Sequence, residues 1–146
     1  MSVRGIRELR PGETGLAHAA MAELRTAFAD DCEGFVHQVD SRQRPAGYRL
    51  LAAFEDAQTE AAAVAGFRRI CSLAWGDVLY VDDLATRESS RRRGHGPALL
   101  EAIAAEGRAL RCRAVHLDSG HHRYEAHRLY LGAGYQIRSH HFVKSL

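Results

Sequence analysis

Residues 91–100 read RRRGHGPALL, three consecutive cations running into a Gly-x-Gly step, then a proline, then apolar residues. Pro97 suits a first helical turn, where its missing N–H is no loss. Gly94 and Gly96 carry no side chain, so the backbone around them can approach a ligand closely. Amides at a helix N-terminus, reinforced by the helix dipole, make an anion site suited to phosphate. Arg91, Arg92 and Arg93 would surround it with positive charge. The stretch is not a Walker A loop, because no Gly-Lys-Ser/Thr follows. It is not a dinucleotide fingerprint either, because the third glycine is missing. A glycine-rich turn with a solvated basic loop accounts for the same residues. A nucleic-acid patch fits less well, because no aromatic residues interleave the arginines.

The rest of the chain has the composition of an ordinary soluble domain. Its 146 residues are 46% hydrophobic and 26% charged, enough for one core and one domain spanning 1–146. Twenty basic against eighteen acidic side chains leave a net charge of +2, which argues against a nucleic-acid partner. Cys32, Cys71 and Cys112 are odd in number and form no C-x-x-C pair, so reduced structural thiols are expected. The opening MSVRGIRELRPGE has no apolar core of a signal peptide, and no apolar run approaches about 18 residues. The expectation is a cytoplasmic protein with no membrane partner.

Periodicity orders the elements. VRGIREL (3–9) reads as a strand, residues 14–29 as a helix with Thr14 at its cap, and 32–43 as a second helical patch. YRLLAAFED (48–56) and AAAVAGFRRI (61–70) read as a hairpin around the turn DAQT, and VLYVDDLAT (78–86) as a third strand of the middle region. A helix over 97–110, a strand at 114–119, a helix at 125–132 and a final strand at 135–143 complete the chain. The fold class is α/β (α+β), with helices flanking one mixed sheet.

Two motifs carry a family resemblance. Arg91-x-x-Gly94-x-Gly96 is similar to the R/Q-x-x-G-x-G/A signature of the GNAT superfamily of N-acetyltransferases. AHRLYLGAGY (126–135) resembles that superfamily's later motif, A-x-x-L/F-Y-x-x-x-G-F/Y, with Ala126, Leu129, Tyr130, Gly134 and Tyr135 in register. One helix and one strand separate them, as in the family. The resemblance implies a central splayed sheet of about six strands. Two departures stand out: Arg123 occupies the place of a frequent asparagine, and only eleven residues follow Tyr135, room for one closing strand or a very tight pair.

The resemblance also implies acetyl transfer from acetyl-CoA to an amine of a small molecule or peptide, by direct attack in a ternary complex. Backbone groups of Arg91, Arg92, Arg93, Gly94, His95 and Gly96 would hold the cofactor's pyrophosphate. Leu84, Ala85 and Thr86 would pair with its pantetheine arm and offer an amide to the thioester oxygen. Arg123 and Ala126 would add contacts from the second motif. Tyr130 stands at the family's general-acid position, against a plain reading as a core tyrosine.

For the base, Asp82 and Asp83 are candidates, since adjacent acids inside an apolar strand need a cleft or partners. Strict alternation puts Tyr80, Asp82 and Leu84 on one face and Leu79, Val81, Asp83 and Ala85 on the other. That favours Asp82 toward the acceptor, unless a bulge exchanges the two. Hydrogen-bonded acids at a splayed strand end are the equal alternative. His116, His121, His122, His127, His140 and His141 crowd the last quarter without ligand spacing, and no metal is expected. The acceptor would be chosen by residues 14–43 and the segment near 56–60, whose acids hint at a cationic amine. A non-catalytic coenzyme A-binding sensor or partner module is the competing function. A homodimer is compatible with either.

Overall fold

Strands rich in alanine and branched residues build the centre of this molecule, and small side chains let helices approach both faces. The computed structural model describes residues 4–55 and 59–146. Its sheet runs in the order β1 (Arg4–Leu9), β2 (Arg49–Phe54), β3 (Ala63–Ser72), β4 (Gly76–Thr86), β5 (Ala114–Leu117). The first four strands are antiparallel, and β5 joins β4 in parallel. A parallel neighbour needs a crossover, supplied by α3 (His95–Ala109).

Adjacent residues of β2 serve opposite cores, as the two-residue period of a strand demands. Leu50 and Ala52 pack with Leu9, Met21, Phe35 and Val64 beneath α1 (His18–Leu24) and α2 (Cys32–Gln38). Ala53 packs with Phe67, Leu79, Val81, Leu99 and Ile103 beneath α3. Phe67, Leu79, Leu99 and Ile103 are at most 1% exposed, and each such side chain contributes about 1.5–3 kcal/mol. The fold is a mixed five-stranded sheet between helical layers. Among the described residues no helix is long and apolar enough to cross a membrane.

Several expectations change in detail. The helix expected over 14–29 is broken: a 3-10 turn covers Thr14–Ala17, α1 follows, and a second 3-10 turn covers Thr26–Phe28. The break falls at Arg25, where φ −106° and ψ 77° leave the helical region. Its guanidinium reaches β4 instead, donating from Nε to Asp83 Oδ1 at 2.8 Å and from a terminal nitrogen to the Asp82 carbonyl at 3.0 Å. Thr14 is not a cap. Its hydroxyl donates to Asp40 at 2.6 Å and accepts from Arg44 at 2.9 Å, which ties the start of the helical region to its end. The second patch is α2, capped by Asp31 accepting from the Gly34 amide at 2.8 Å, and continued by a π-turn over Val39–Gln43.

The expected final strand over 135–143 is absent, so the sheet has five strands and not about six. The backbone of 136–146 makes no backbone hydrogen bond among the described residues, and Ile137, Phe142 and Val143 lie in the open. Alternation makes a strand only where the amides and carbonyls pair with a neighbour, and this segment forms no such pairing among the described residues. Of the segments read from sequence, Val3 and residues 56–58 lie outside the described residues.

One glycine is required by packing. The Tyr48 ring crosses β3 at Gly66, where a Cβ would sit 1.7 Å from Tyr48 Oη and 2.1 Å from Cζ. Gly66→Ala should therefore cost at least about 2 kcal/mol, seen as a fall of roughly 4–8 °C in Tm. In a Tyr48→Ala background the same substitution should cost under about 1 kcal/mol, because the obstacle is gone. Equal losses in both backgrounds would reject the clash.

Candidate active site

Pairing between β4 and β5 stops at Val81 opposite Leu117, while β4 runs on to Thr86 beside β3 alone. Residues Asp82 to Thr86 thus border a split in the sheet with one backbone edge open. At the head of this segment the β3–β4 register slips: Gly66 faces Asp83 and Phe67 faces Val81, leaving Asp82 as the extra residue of a bulge. The strand's faces exchange beyond it. Leu84 joins Leu79 and Val81 on the α3 side, while Ala85 joins the core beneath α1 and α2. Strict alternation had assigned these residues the opposite way.

The bulge also separates the two acids. Asp83 turns toward α1, where Tyr48 Oη donates to Oδ2 at 2.8 Å and Arg25 Nε donates to Oδ1 at 2.8 Å. Burial, and then the Asp83 charge, push the Tyr48 phenol well above its usual range, so it remains a proton donor to that carboxylate. Asp82 instead takes both its bonds from Arg68 Nε, at 2.9 and 3.1 Å. Arg68 lies over the Tyr80 ring at 5.4 Å.

Two hollows meet at Asp83. A cavity of about 180 Å³ between the N-terminal helices and the sheet has Met21, Phe28, Phe35 and Val39 as apolar wall, with Gln38, Gln43, Tyr48, Arg25 and Asp83 as polar groups. A narrow cleft of about 30 Å³ in the split is bordered by Asp82, Asp83, Leu84, Asp118, Arg123 and Tyr130. Asp118 accepts the Tyr80 hydroxyl. Tyr130 belongs to α4 (Tyr124–Gly132), and burial raises its pKa against an opposing effect of Arg123. Its hydroxyl has no partner among the described residues, leaving it open toward the cleft. Ala126, Thr86 and Ala85 do not border the cleft, and Ala85 is a core residue.

At the other end of the open edge lies the basic loop. Arg92 and Gly94 adopt left-handed backbone, φ 62° and 84°. The amides of Arg92, Arg93 and Gly94 find no backbone acceptor among the described residues. Those of His95 and Gly96 open α3, where no intrahelical acceptor exists, and Pro97 has no N–H. Five consecutive amides at a helix start, beside the exposed side chains of Arg91 and Arg92, fit a phosphate-bearing group. Gly96 also lets α4 come close, since a Cβ there would meet Leu129 Cδ2 at 3.1 Å.

The side chains of Arg93 and His95 point away from that role. Both converge on Glu55, just past the end of β2: Arg93 donates at 2.8 Å, His95 Nε2 lies at 2.6 Å and the Ser90 hydroxyl at 3.4 Å. The Glu55 side chain is 8% exposed. Its carboxyl is held below the usual range by the His95 bond first, with burial opposing and Arg93 assisting. This clamp pins the loop to the sheet and escaped the sequence reading, as did Tyr48 and Arg25. An acid at the end of an apolar strand was the only local signal for Glu55. Tyr48 and Arg25 had none. Among the described residues no three His, Cys, Asp or Glu side chains gather as a metal site, and the three cysteines are free.

Known proteins share the sequence pattern and the fold of this chain. Residues 14–135 match the model of the Acetyltransferase (GNAT) family. An uncharacterized N-acetyltransferase of Bacillus subtilis (strain 168) is 31% identical over 129 residues, covering 88% of each chain. The ribosomal-protein-alanine N-acetyltransferase of Brucella melitensis biovar Abortus 2308 superposes with a TM-score of 0.81 at 14% identity, over 97% of this chain and 98% of that one. An acetyltransferase of Trypanosoma brucei gives 0.80 at 18%, over 97% and 99%. At such identities the two structures speak for the fold.

The clamp makes a direct prediction. Glu55→Gln leaves Arg93 and His95 short of their shared anion and should cost about 2–3 kcal/mol, roughly 5–10 °C in Tm near neutral pH. Because the folded-state pKa of Glu55 is lowered, its contribution is present above the usual carboxylate range and is lost as pH falls through that lowered value. The gap between wild type and variant should therefore narrow in acid. A constant gap from neutral to pH about 3 would show that ionised Glu55 is not the source.

Proposed function

Since the chain belongs to the acetyltransferase (GNAT) family, we propose that it transfers the acetyl group of acetyl-CoA to an amine held in the cavity beneath α1 and α2. The observation that carries this reading is the convergence on one split of three things: the open edge of β4, the unpartnered Tyr130 hydroxyl, and Asp83 at the mouth of the cavity. Acetyl-CoA, when bound, supplies the activated acetyl thioester. The amides of Arg92 to Gly96, with the Arg91 and Arg92 side chains, hold its diphosphate. The open edge at Leu84 to Thr86 takes the pantetheine arm as an added strand, and an amide there meets the negative charge that develops on the acetyl oxygen.

The acceptor amine approaches from the cavity. Asp83 is better placed than Asp82 to orient it and to take its proton, directly or through water, because Asp83 borders both hollows while Asp82 borders the cleft alone. Tyr48 and Arg25 keep the Asp83 carboxylate in place. Tyr130, kept protonated by burial, holds a proton for the departing sulfur at the opposite wall. The amine attacks the acetyl carbon, the carbon–sulfur bond breaks, and the two protons pass to Asp83 and from Tyr130. The acceptor is a small molecule or a peptide amine.

Acetyl-CoA at a hundred times its Kd should stabilise the protein by about 2.7 kcal/mol, and absence of any Tm shift at saturation would remove the reading. Tyr130→Phe should keep that shift but lose roughly 10²-fold or more in kcat. Asp83→Asn should lose at least about 10²-fold in kcat/KM. A cofactor-dependent Tm shift without turnover on any amine of a broad panel would mark a non-catalytic acetyl-CoA-binding module.

A further inference from the structure

The break at Arg25 shapes the cavity beneath α1 and α2 as well as the bonds to Asp83. Past the break the chain turns through the 3-10 segment Thr26–Phe28. His18 holds that turn, its Nε2–H donating to the Phe28 carbonyl at 2.7 Å. The Phe28 ring meets the Phe35 ring edge to face, with centroids 5.9 Å apart and planes at 68°. With Met21 and Val39, these two rings form the apolar wall, and Asp83 is the one carboxylate on the lining.

We propose that this cavity selects a primary monoamine with one compact apolar body, a benzene-sized ring on a short arm, and rejects polyamines and amino sugars. The reaction rests on the acetyl-transfer reading above, and the choice of ligand rests on the cavity itself. Size sets the first limit. A cavity of about 150 Å³ walled by apolar side chains admits benzene. The cavity here, about 180 Å³, therefore takes one such ring with an arm of roughly one or two carbons, and no second ring. Phe28 and Phe35 offer that ring further edge-to-face contact.

Charge sets the second limit. Arg25 is the only cation on the lining, and it is bonded to Asp83 at 2.8 Å. Asp83 Oδ1 accepts from Arg25 and Oδ2 from Tyr48, but a carboxylate has about four lone-pair sites. One ammonium can therefore join it before giving up its proton. A second ammonium would find no anion. Gln38 and Gln43 are neutral, and Gln38 gives an N–H to the Gln43 carbonyl at 3.3 Å. Asp82 borders only the cleft and is bound to Arg68. Burying an unpaired cation is disfavoured, which sets polyamines and aminoglycosides aside.

The test separates the ligand from the reaction. Benzylamine is titrated calorimetrically into the full chain, alone and with coenzyme A, which has no acetyl group to give. In at least one condition it should bind with a Kd below about 1 mM, and spermidine and kanamycin at least ~10-fold more weakly. Phe28→Ala, at a half-buried position, should weaken benzylamine at least ~10-fold. Phe28→Leu, which keeps an apolar contact without the ring, should weaken it about 3-fold. With acetyl-CoA, kcat/KM for benzylamine should exceed that for spermidine, kanamycin or ethylamine by roughly 10²-fold. Benzylamine binding without acetylation would leave this inference standing and remove acetyl transfer. Preferred acetylation of spermidine or kanamycin would do the reverse. No benzylamine binding at about 10 mM in either condition, or an affinity unchanged by both Phe28 substitutions, would overturn the inference.

Discussion

With Gly66 opposite Asp83 and Phe67 opposite Val81, Asp82 has no cross-strand counterpart in β4, and the two faces of the strand change places beyond it. The cleft and the placement of both aspartates follow from that slip. It sends Leu84 into the core under α3 and Ala85 into the core under α1 and α2. Asp83 then comes within reach of Tyr48, whose ring can cross the sheet only because residue 66 lacks a Cβ. The same point marks the end of β4–β5 pairing, so the strand's open edge and its displaced carboxylate arise together. A bulge raises local twist, and neighbouring strands that twist apart leave a cleft that no side-chain substitution could open.

Charge burial in the site follows one rule: each acid is held by a named cation or hydroxyl. Asp82 has Arg68, Asp83 has Arg25 and Tyr48, Asp118 has Tyr80, and Glu55 has Arg93 with His95. Glu55 and Asp83 are the most covered of these, with side chains 8% and 15% exposed, and an unpaired carboxylate there would cost several kcal/mol; Asp118 is half exposed and needs its partner less. These pairs also divide the labour of the arginine triplet. Arg93 is spent on holding the loop to the sheet, which leaves Arg91 and Arg92 facing solvent at the helix start.

The legible part of the sequence was its local chemistry. RRRGHGPALL read as a loop running into a helix, and α3 begins at His95. The hairpin of β2 and β3, the β5 strand and α4 lie within a few residues of where periodicity puts them. What failed was whatever depends on a partner distant in sequence. The helix expected over 14–29 breaks at Arg25, whose side chain is engaged 58 residues away. Thr14 serves Asp40 and Arg44 and not its own helix. The alternating run over 135–143 has a strand's pattern but, among the described residues, no backbone partner for 136–143.

By itself, then, the sequence determined the family of this protein and the elements from β2 to α4, because periodicity and glycine steps act over a few residues and leave a readable pattern. Only the tertiary structure decided which of two adjacent aspartates faces the cavity. That choice depends on the register between β3 and β4, and a one-residue slip inverts every side chain without altering a letter of the strand. Glu55, Tyr48 and Arg25 became site residues for the same reason: folding brings them to partners 35 to 58 positions away, and no local pattern records such distances.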